Sequence, residues 1–171
     1  MRRTPIPTLA ALLAVLLAGS ASAAVKKSAL VKVTVEAQVA APPSAVWAQL
    51  TQGKNLVTWC PMWKAPANAK VSLARVGDVL DFTDDWGNGG RSVVTYLAKD
   101  KEIRVTHEPN NGSYMCQARL VLSPAGGGTK LSWTDSYTDD GALKDQQANS
   151  AKMEAEMRES LTALAKGAAG K

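Results

Sequence analysis

The chain contains 171 residues, of which 46% are hydrophobic and 20% are charged, and its formal net charge is +5 at pH 7. This length is typical of one domain, which can bury a core without a structural metal. Lysine and arginine are scattered along the sequence, with no dense cluster beyond Lys26 and Lys27. The composition therefore gives no indication of a nucleic-acid partner.

The first 23 residues have the pattern of a signal peptide. Arg2 and Arg3 form a short positive segment, residues 9–18 are apolar, and residues 21–23 are the small residues that signal peptidase recognises. The apolar run is shorter than the roughly 20 residues that span a bilayer. We therefore expect cleavage near Ala23 and a periplasmic or secreted protein without stable membrane insertion.

The remaining chain alternates between strand and helix patterns. Apolar and polar residues alternate over residues 30–39, which predicts a half-buried strand, and two prolines end it. Two short helices are predicted at residues 44–51 and 55–59. Candidate strands follow, separated by glycine-rich or polar turns, at residues 70–74, 78–83, 91–97, 102–108, 114–122 and 129–137.

A long amphipathic helix is predicted from Leu143 onward. Its apolar stripe contains Met153, Met157, Leu161 and Leu164. Only the sheet is large enough to cover this stripe. We therefore expect an α+β domain over residues 24–166, in which an antiparallel sheet of about six to seven strands curves around the last helix. Residues 167–171 are expected to form a flexible tail.

Three stretches carry a family resemblance. The strand-to-helix junction at residues 39–50, the Trp-Cys-Pro segment at residues 55–61 and the last hairpin at residues 120–133 resemble the START-like or SRPBCC helix-grip superfamily, including its polyketide cyclase/dehydrase relatives. The resemblance extends over residues 31–165. It implies a cavity between the long helix and the concave face of the sheet, occupied by an apolar or amphipathic small molecule such as a lipid or an aromatic metabolite. No cofactor is expected.

Four polar side chains are candidates for lining such a cavity. His107, the one histidine, shares its strand face with apolar residues, and Asp135 shares its face with Trp133 and Tyr137. With Tyr96 they would form a small polar set in an apolar pocket. The alternatives are an ordinary half-buried His107 bonded to a neighbour, and an Asp135 that lies beyond the covered part of the sheet.

The candidate ligand-binding set also includes aromatic and methionine side chains, namely Trp59, Trp63, Trp133, Met153 and Met157. Trp59 and Trp63 lie in irregular segments and would be able to gate a cavity mouth, and Met153 and Met157 suit an adaptable apolar wall. Ordinary core packing explains the same residues. Asp84, Asp85 and Asn88 offer oxygen ligands, but their spacing does not match a calcium loop, so we expect no metal site.

Cys60 and Cys116 are the two cysteines of the chain. In an exported protein an even number of cysteines suggests a disulfide. Such a bridge would stabilise the fold by about 4 kcal/mol in the chain-entropy model. Two separate buried thiols are the alternative.

Three functions are compatible with these features. The first is a binding protein for a hydrophobic or amphipathic small molecule. The second is a cyclase- or hydrolase-type enzyme for a polyketide-like substrate, with His107 as the acid or base, assisted by Asp135 or a tyrosine. The third is a cell-envelope interaction module in which Trp63 and Trp86 are exposed anchors.

Overall fold

A computed structural model describes residues 29–83, 87–112, 115–139 and 143–170. The expected signal peptide, Tyr114, Trp86 and the neighbouring pair Asp84 and Asp85 lie outside these residues. The described part has the expected α+β helix-grip architecture, with one antiparallel sheet and a long C-terminal helix.

The sheet contains six strands in the order β1-β6-β5-β4-β3-β2, and every neighbouring pair is antiparallel. The strands are β1 (Ala29–Val39), β2 (Val79–Thr83), β3 (Gly89–Ala98), β4 (Glu102–Pro109), β5 (Cys116–Ala125) and β6 (Gly128–Asp139). The helices are α1 (Pro43–Thr51), α2 (Gly53–Trp59) and α3 (Leu143–Ala168), and two 3₁₀ turns lie at Pro61–Trp63 and Pro66–Lys70.

The junction from β1 to α1 follows from the local sequence. Val33, Val35 and Val39 point into the core on alternate positions of β1, which pairs with β6 along its whole length. Pro43 then occupies the first turn of α1, where proline has no hydrogen bond to lose. This arrangement places α1 and α2 at one end of the sheet.

The strand predicted at residues 70–74 is wrong. This segment forms part of a 3₁₀ turn followed by a single bridge between Gln52 and Ser72. The physical reason is Asn68, whose buried side chain bonds both the N–H and the C=O of Asp81 in the edge strand β2. The Asn68 amide thus bonds backbone groups of β2 that a further strand would have to bond. β2 therefore remains an edge strand, and the described sheet has six strands.

Helix α3 covers one side of the sheet. Met157, Leu161 and Leu164 are buried, as the apolar stripe predicts, and the helix packs along β1 and against α1 and α2. It continues to Ala168, two residues into the segment expected to be a tail, and Gly167 lies against the side chain of Gln49. Across the described ranges, no helix combines the length and the apolar character that crossing a membrane requires.

Candidate functional site

The strand register brings the polar candidates onto the concave face of the sheet. One row crosses neighbouring strands through Ser92, His107, Cys116, Tyr137 and Val31. The adjacent row, two residues along each strand, contains Val94, Val105, Ala118, Asp135 and Val33. The side chains of both rows point toward the interior, so His107, Cys116, Asp135 and Tyr137 belong to one surface.

Asp135 is buried in this surface, with a relative exposure of 6%. The indole Nε1 of Trp133 donates a 2.7 Å hydrogen bond to its Oδ1, and within the described ranges no group bonds Oδ2. Burial raises the pKa of the carboxyl from 3.8 to about 7, against the opposing effect of the Trp133 bond. The alternative that Asp135 lies beyond the covered part of the sheet is therefore wrong.

His107 is buried next to two aromatic rings. Its ring lies 5.9 Å from that of Trp63 and 5.7 Å from that of Phe82, measured between centroids. Ser92 Oγ accepts a 2.8 Å hydrogen bond from Trp63 Nε1 and lies 2.8 Å from His107 Nδ1. Ser92 Oγ has one O–H to donate after accepting from the indole, and in the tautomer with the imidazole proton on Nε2 this O–H bonds Nδ1.

Burial lowers the pKa of His107 from 6.5 to about 4. The imidazole is therefore neutral at neutral pH and is a weak base, and its Nδ1 is already used by Ser92. These features favour the structural alternative for this residue over an acid–base role.

We expect the variant Ser92→Ala to lose about 2–4 kcal/mol of unfolding free energy, because Trp63 Nε1 and His107 Nδ1 would both lose their buried partner. Thr34→Ala is the matched control, since its hydroxyl bonds Thr134 on the exposed face, and its loss should be below about 1 kcal/mol. Urea denaturation of both variants measures the difference. Equal losses would show that the buried network adds nothing.

Trp59 connects the two polar pairs. Its ring packs edge-to-face against Trp63 and Trp133, with centroid distances of 6.0 and 6.1 Å, and its Nε1 donates to Gln49 O. Trp59 and Trp63 are each 3% exposed. They are thus interior side chains, and Trp63 is not an exposed anchor for a protein partner.

Cys60 and Cys116 are free thiols in the structure, and both are buried. The alternative of two separate thiols therefore describes the structure, and the predicted disulfide does not. Burial raises the pKa of Cys60 to about 12, although the backbone N–H groups of Met62 and Trp63 point at its sulfur. Burial also raises the pKa of Cys116, and the charge of Asp135 adds to both increases. Both thiols are therefore protonated neighbours of Asp135.

Tyr96 does not belong to this surface. The register of β3 against β4 shifts between Val94 and Tyr96, and this bulge turns the next side chain to the outer face. Tyr96 is 42% exposed, and the guanidinium of Arg104 lies 4.9 Å from the centre of its ring. The strict alternation that placed Tyr96 beside His107 was therefore wrong.

A groove of about 470 Å³ lies between β1 and the N-terminal half of α3. Its apolar lining includes Val31 and Val33, the β1 neighbours of Tyr137 and Asp135. Beside it, the hydroxyl of Tyr137 lies 3.1 Å from Ser150 Oγ. Since Ser150 donates to Gln146 O, it accepts from Tyr137. This bond ties the sheet to α3 next to Asp135.

Comparison with known proteins decides the family. The model of the family described as polyketide cyclase/dehydrase and lipid transport matches residues 31–169. The chain belongs to this family. No curated protein matches the chain.

Solved structures of low sequence identity share this fold. Protein MLL2253 from Mesorhizobium loti is 21% identical, with a TM-score of 0.62 over 80% of this chain and 96% of its own. DynU16, from the dynemicin biosynthetic locus, is 18% identical, with a TM-score of 0.60 over 79% of this chain and 46% of its own. Aha1 from Colwellia psychrerythraea, solved as a dimer, is 19% identical, with a TM-score of 0.58 over 80% and 94% of the two chains.

Within this polyketide cyclase/dehydrase and lipid transport fold, sequence reasoning missed two hydroxyl residues of the site. Ser92 lies two residues before the buried Val94 on the same face of β3, so strand alternation would have found it. Ser150 lies three and seven residues before Met153 and Met157, on the same helix face. Met157 is buried and Met153 is half-buried. Ser150 is therefore the polar residue that precedes the apolar stripe on this face of α3.

Proposed function

We propose that the protein binds an apolar or amphipathic small molecule between the concave face of the sheet and α3. The observation that carries this proposal is Asp135, a carboxyl 6% exposed that Trp133 bonds at Oδ1, whereas its Oδ2 is not among the fully buried atoms without a partner and so is accessible to a small molecule. An accessible carboxyl oxygen next to an apolar core is the kind of polar group that orients a ligand in most small-molecule sites. A bound molecule with a polar group is the natural partner, and family membership supports it.

The groove beside β1 supplies an approach to this carboxyl. Among the described residues its lining comes from Val31, Lys32, Val33 and Thr34 of β1 and from Gln146, Gln147, Ser150, Ala151 and Glu154 of α3. Its volume of about 470 Å³ is in the range of small-molecule sites. Val33 of the groove lining pairs with Asp135 across the strands, so a ligand in the groove would reach the carboxyl if the Tyr137–Ser150 hydrogen bond opened.

The surrounding side chains suit a molecule with an apolar body. Trp59, Trp133 and Met157 are apolar or aromatic groups of the same core, and methionine adapts to ligands of different shape. Tyr137 and Asp135 would orient the polar end, as a few polar groups do in most ligand sites. We propose further that binding takes place after export, because residues 1–23 have the signal-peptide pattern.

Native mass spectrometry of the protein isolated from the exported fraction tests both parts. We expect the intact mass to correspond to cleavage near Ala23, and a discrete additional mass to be released on denaturation. The neutral fluorophore N-phenyl-1-naphthylamine should also bind to the emptied protein. A protein that carries nothing and does not bind this fluorophore would contradict the binding function.

A pair of helix variants locates the site. Ala151 is an exposed α3 residue that lines the groove, and Ala155 is exposed one turn later and lies outside it. Ala151→Trp should weaken fluorophore binding by about tenfold, because the indole fills the groove, and Ala155→Trp should leave the affinity unchanged. Equal affinities for the two variants would place the site elsewhere.

A further inference from the structure

We infer that the bound molecule carries a protonated amine that pairs with Asp135. This inference rests on the proposed binding function and names the class of ligand for the same site. It starts from the charges of the interior, where Asp135 takes part in none of the ion pairs of the described residues. Buried carboxylates are normally paired with a cation.

No group of the described chain supplies that cation. The causes that set the pKa of Asp135 are its burial and the Trp133 bond, with no contribution from a charged side chain. The buried titratable groups of the same core are the thiols of Cys60 and Cys116, the phenol of Tyr137 and the neutral imidazole of His107. At the periphery, Glu154 of α3 and the exposed Lys32 of β1 line the groove. Lys64 acts on Cys60, and Glu154 also pairs with Arg158.

The walls of the site also favour a cation. Trp133 bonds the carboxyl directly, Trp59 packs edge-to-face on Trp133, and Tyr137 follows Asp135 on the same strand face. Trp133 meets the carboxyl with its N–H edge, so the attraction of a cation to an aromatic face would add to the ion pair only where the ammonium lies over one of these rings. An anionic ligand would meet the opposite environment, because its charge would approach Asp135 without a buried cation to compensate it.

Pairing with an amine also determines the protonation state of the Asp135 carboxyl. In the empty protein, burial favours the protonated form of Asp135 at slightly acidic pH. An ammonium group beside Oδ2 stabilises the ionised form, so binding in this range displaces the carboxyl proton into solvent. A neutral ligand leaves the proton in place.

Three ligands that differ only at one end test the inference: 6-phenylhexan-1-amine, 6-phenylhexan-1-ol and 6-phenylhexanoic acid. Calorimetric titration at pH 8 should show that the amine binds about tenfold more tightly than the alcohol. In Asp135→Asn the amine should lose this advantage, while the alcohol should bind as it does to the wild type. At pH 6, titration in buffers of different ionisation enthalpy should show release of close to one proton per amine bound.

The other outcomes separate the two proposals. If the three ligands bind equally, or the acid binds most tightly, the amine inference is overturned and the binding function stands. If Asp135→Asn retains the preference for the amine, Asp135 is not its partner and the inference is again overturned. If none of the three binds, the binding function fails and the amine inference fails with it.

Discussion

Replacement of Asp135 by asparagine should stabilise the folded protein at pH 8 by about 4 kcal/mol, because the pKa of the carboxyl rises from 3.8 to about 7 on folding. Between these pH values the folded state holds the proton more tightly than the unfolded state, so the unfolding free energy falls as the pH rises. Asparagine stays neutral, and its Oδ1 still accepts the Trp133 hydrogen bond. The advantage should vanish below pH 4.

Urea denaturation of both proteins from pH 4 to pH 8 measures this effect. Asp81→Asn is the matched control, since Asp81 is exposed on strand β2, and this variant should not show the gain in stability at pH 8 that is expected of Asp135→Asn. A variant less stable than the wild type at pH 8 would contradict the prediction. It would mean that the ionised Asp135 has a favourable partner in the empty protein.

The same measurements should reveal that His107 also makes the unfolding free energy depend on pH, an effect that Asp135 cancels in the wild type. The pKa of His107 falls from 6.5 to about 4 on folding, so the unfolded state binds the proton more tightly and the unfolding free energy rises with pH over this range. The slopes of His107 and Asp135 have opposite signs and overlap. We therefore expect a flat wild-type profile and, in Asp135→Asn, a stability that rises by up to about 3 kcal/mol between pH 4 and pH 6.5.

A carboxyl that destabilises its own fold at neutral pH requires an explanation in function. Groups retained at a cost in stability are characteristic of binding and catalytic sites. His107 differs, because its Nδ1 hydrogen bond and its aromatic neighbours complete a packed unit. His107 and Asp135 therefore differ although they share one sheet face, and Asp135 is the group to which we assign the ligand in the proposed function.

The fold was predictable because its signals are local. Alternation defines β1, the positive φ angles of Gly126 and Gly127 shape the turn that the glycine run predicts between β5 and β6, and the apolar stripe of α3 requires a sheet to cover it. The strand predicted at residues 70–74 does not form, because the Asn68 side chain bonds the edge of β2 in its place. That competition is a tertiary contact, which a local pattern does not contain.

The site was predictable only in part, because burial depends on distant elements. The faces of His107, Asp135 and Tyr137 followed from alternation. The bulge after Val94 moved Tyr96 to the outer face, since one extra residue reverses the alternation beyond it. The burial of Asp135 depends on the elements that cover the sheet, which strand pattern alone does not reveal.

Trp59→Ala should lower the unfolding free energy by about 3–5 kcal/mol, because it removes a buried indole and leaves a cavity in the core. Trp63 and Trp133 would both lose an aromatic neighbour, and Gln49 O would lose its donor. Water admitted to the cavity would also solvate Asp135. Its pKa should therefore fall toward 3.8, and the decrease in stability that it causes between pH 4 and pH 7 should become smaller.

Trp59→Phe separates the two effects. Phenylalanine keeps an aromatic ring between Trp63 and Trp133 and loses the donor to Gln49 O, so the stability should fall by less than half as much as in the alanine variant. The contribution of Asp135 to the pH dependence of the unfolding free energy should remain, because the phenyl ring still shields the carboxyl from water. If the alanine variant keeps this contribution as well, Trp59 does not shield Asp135 from water.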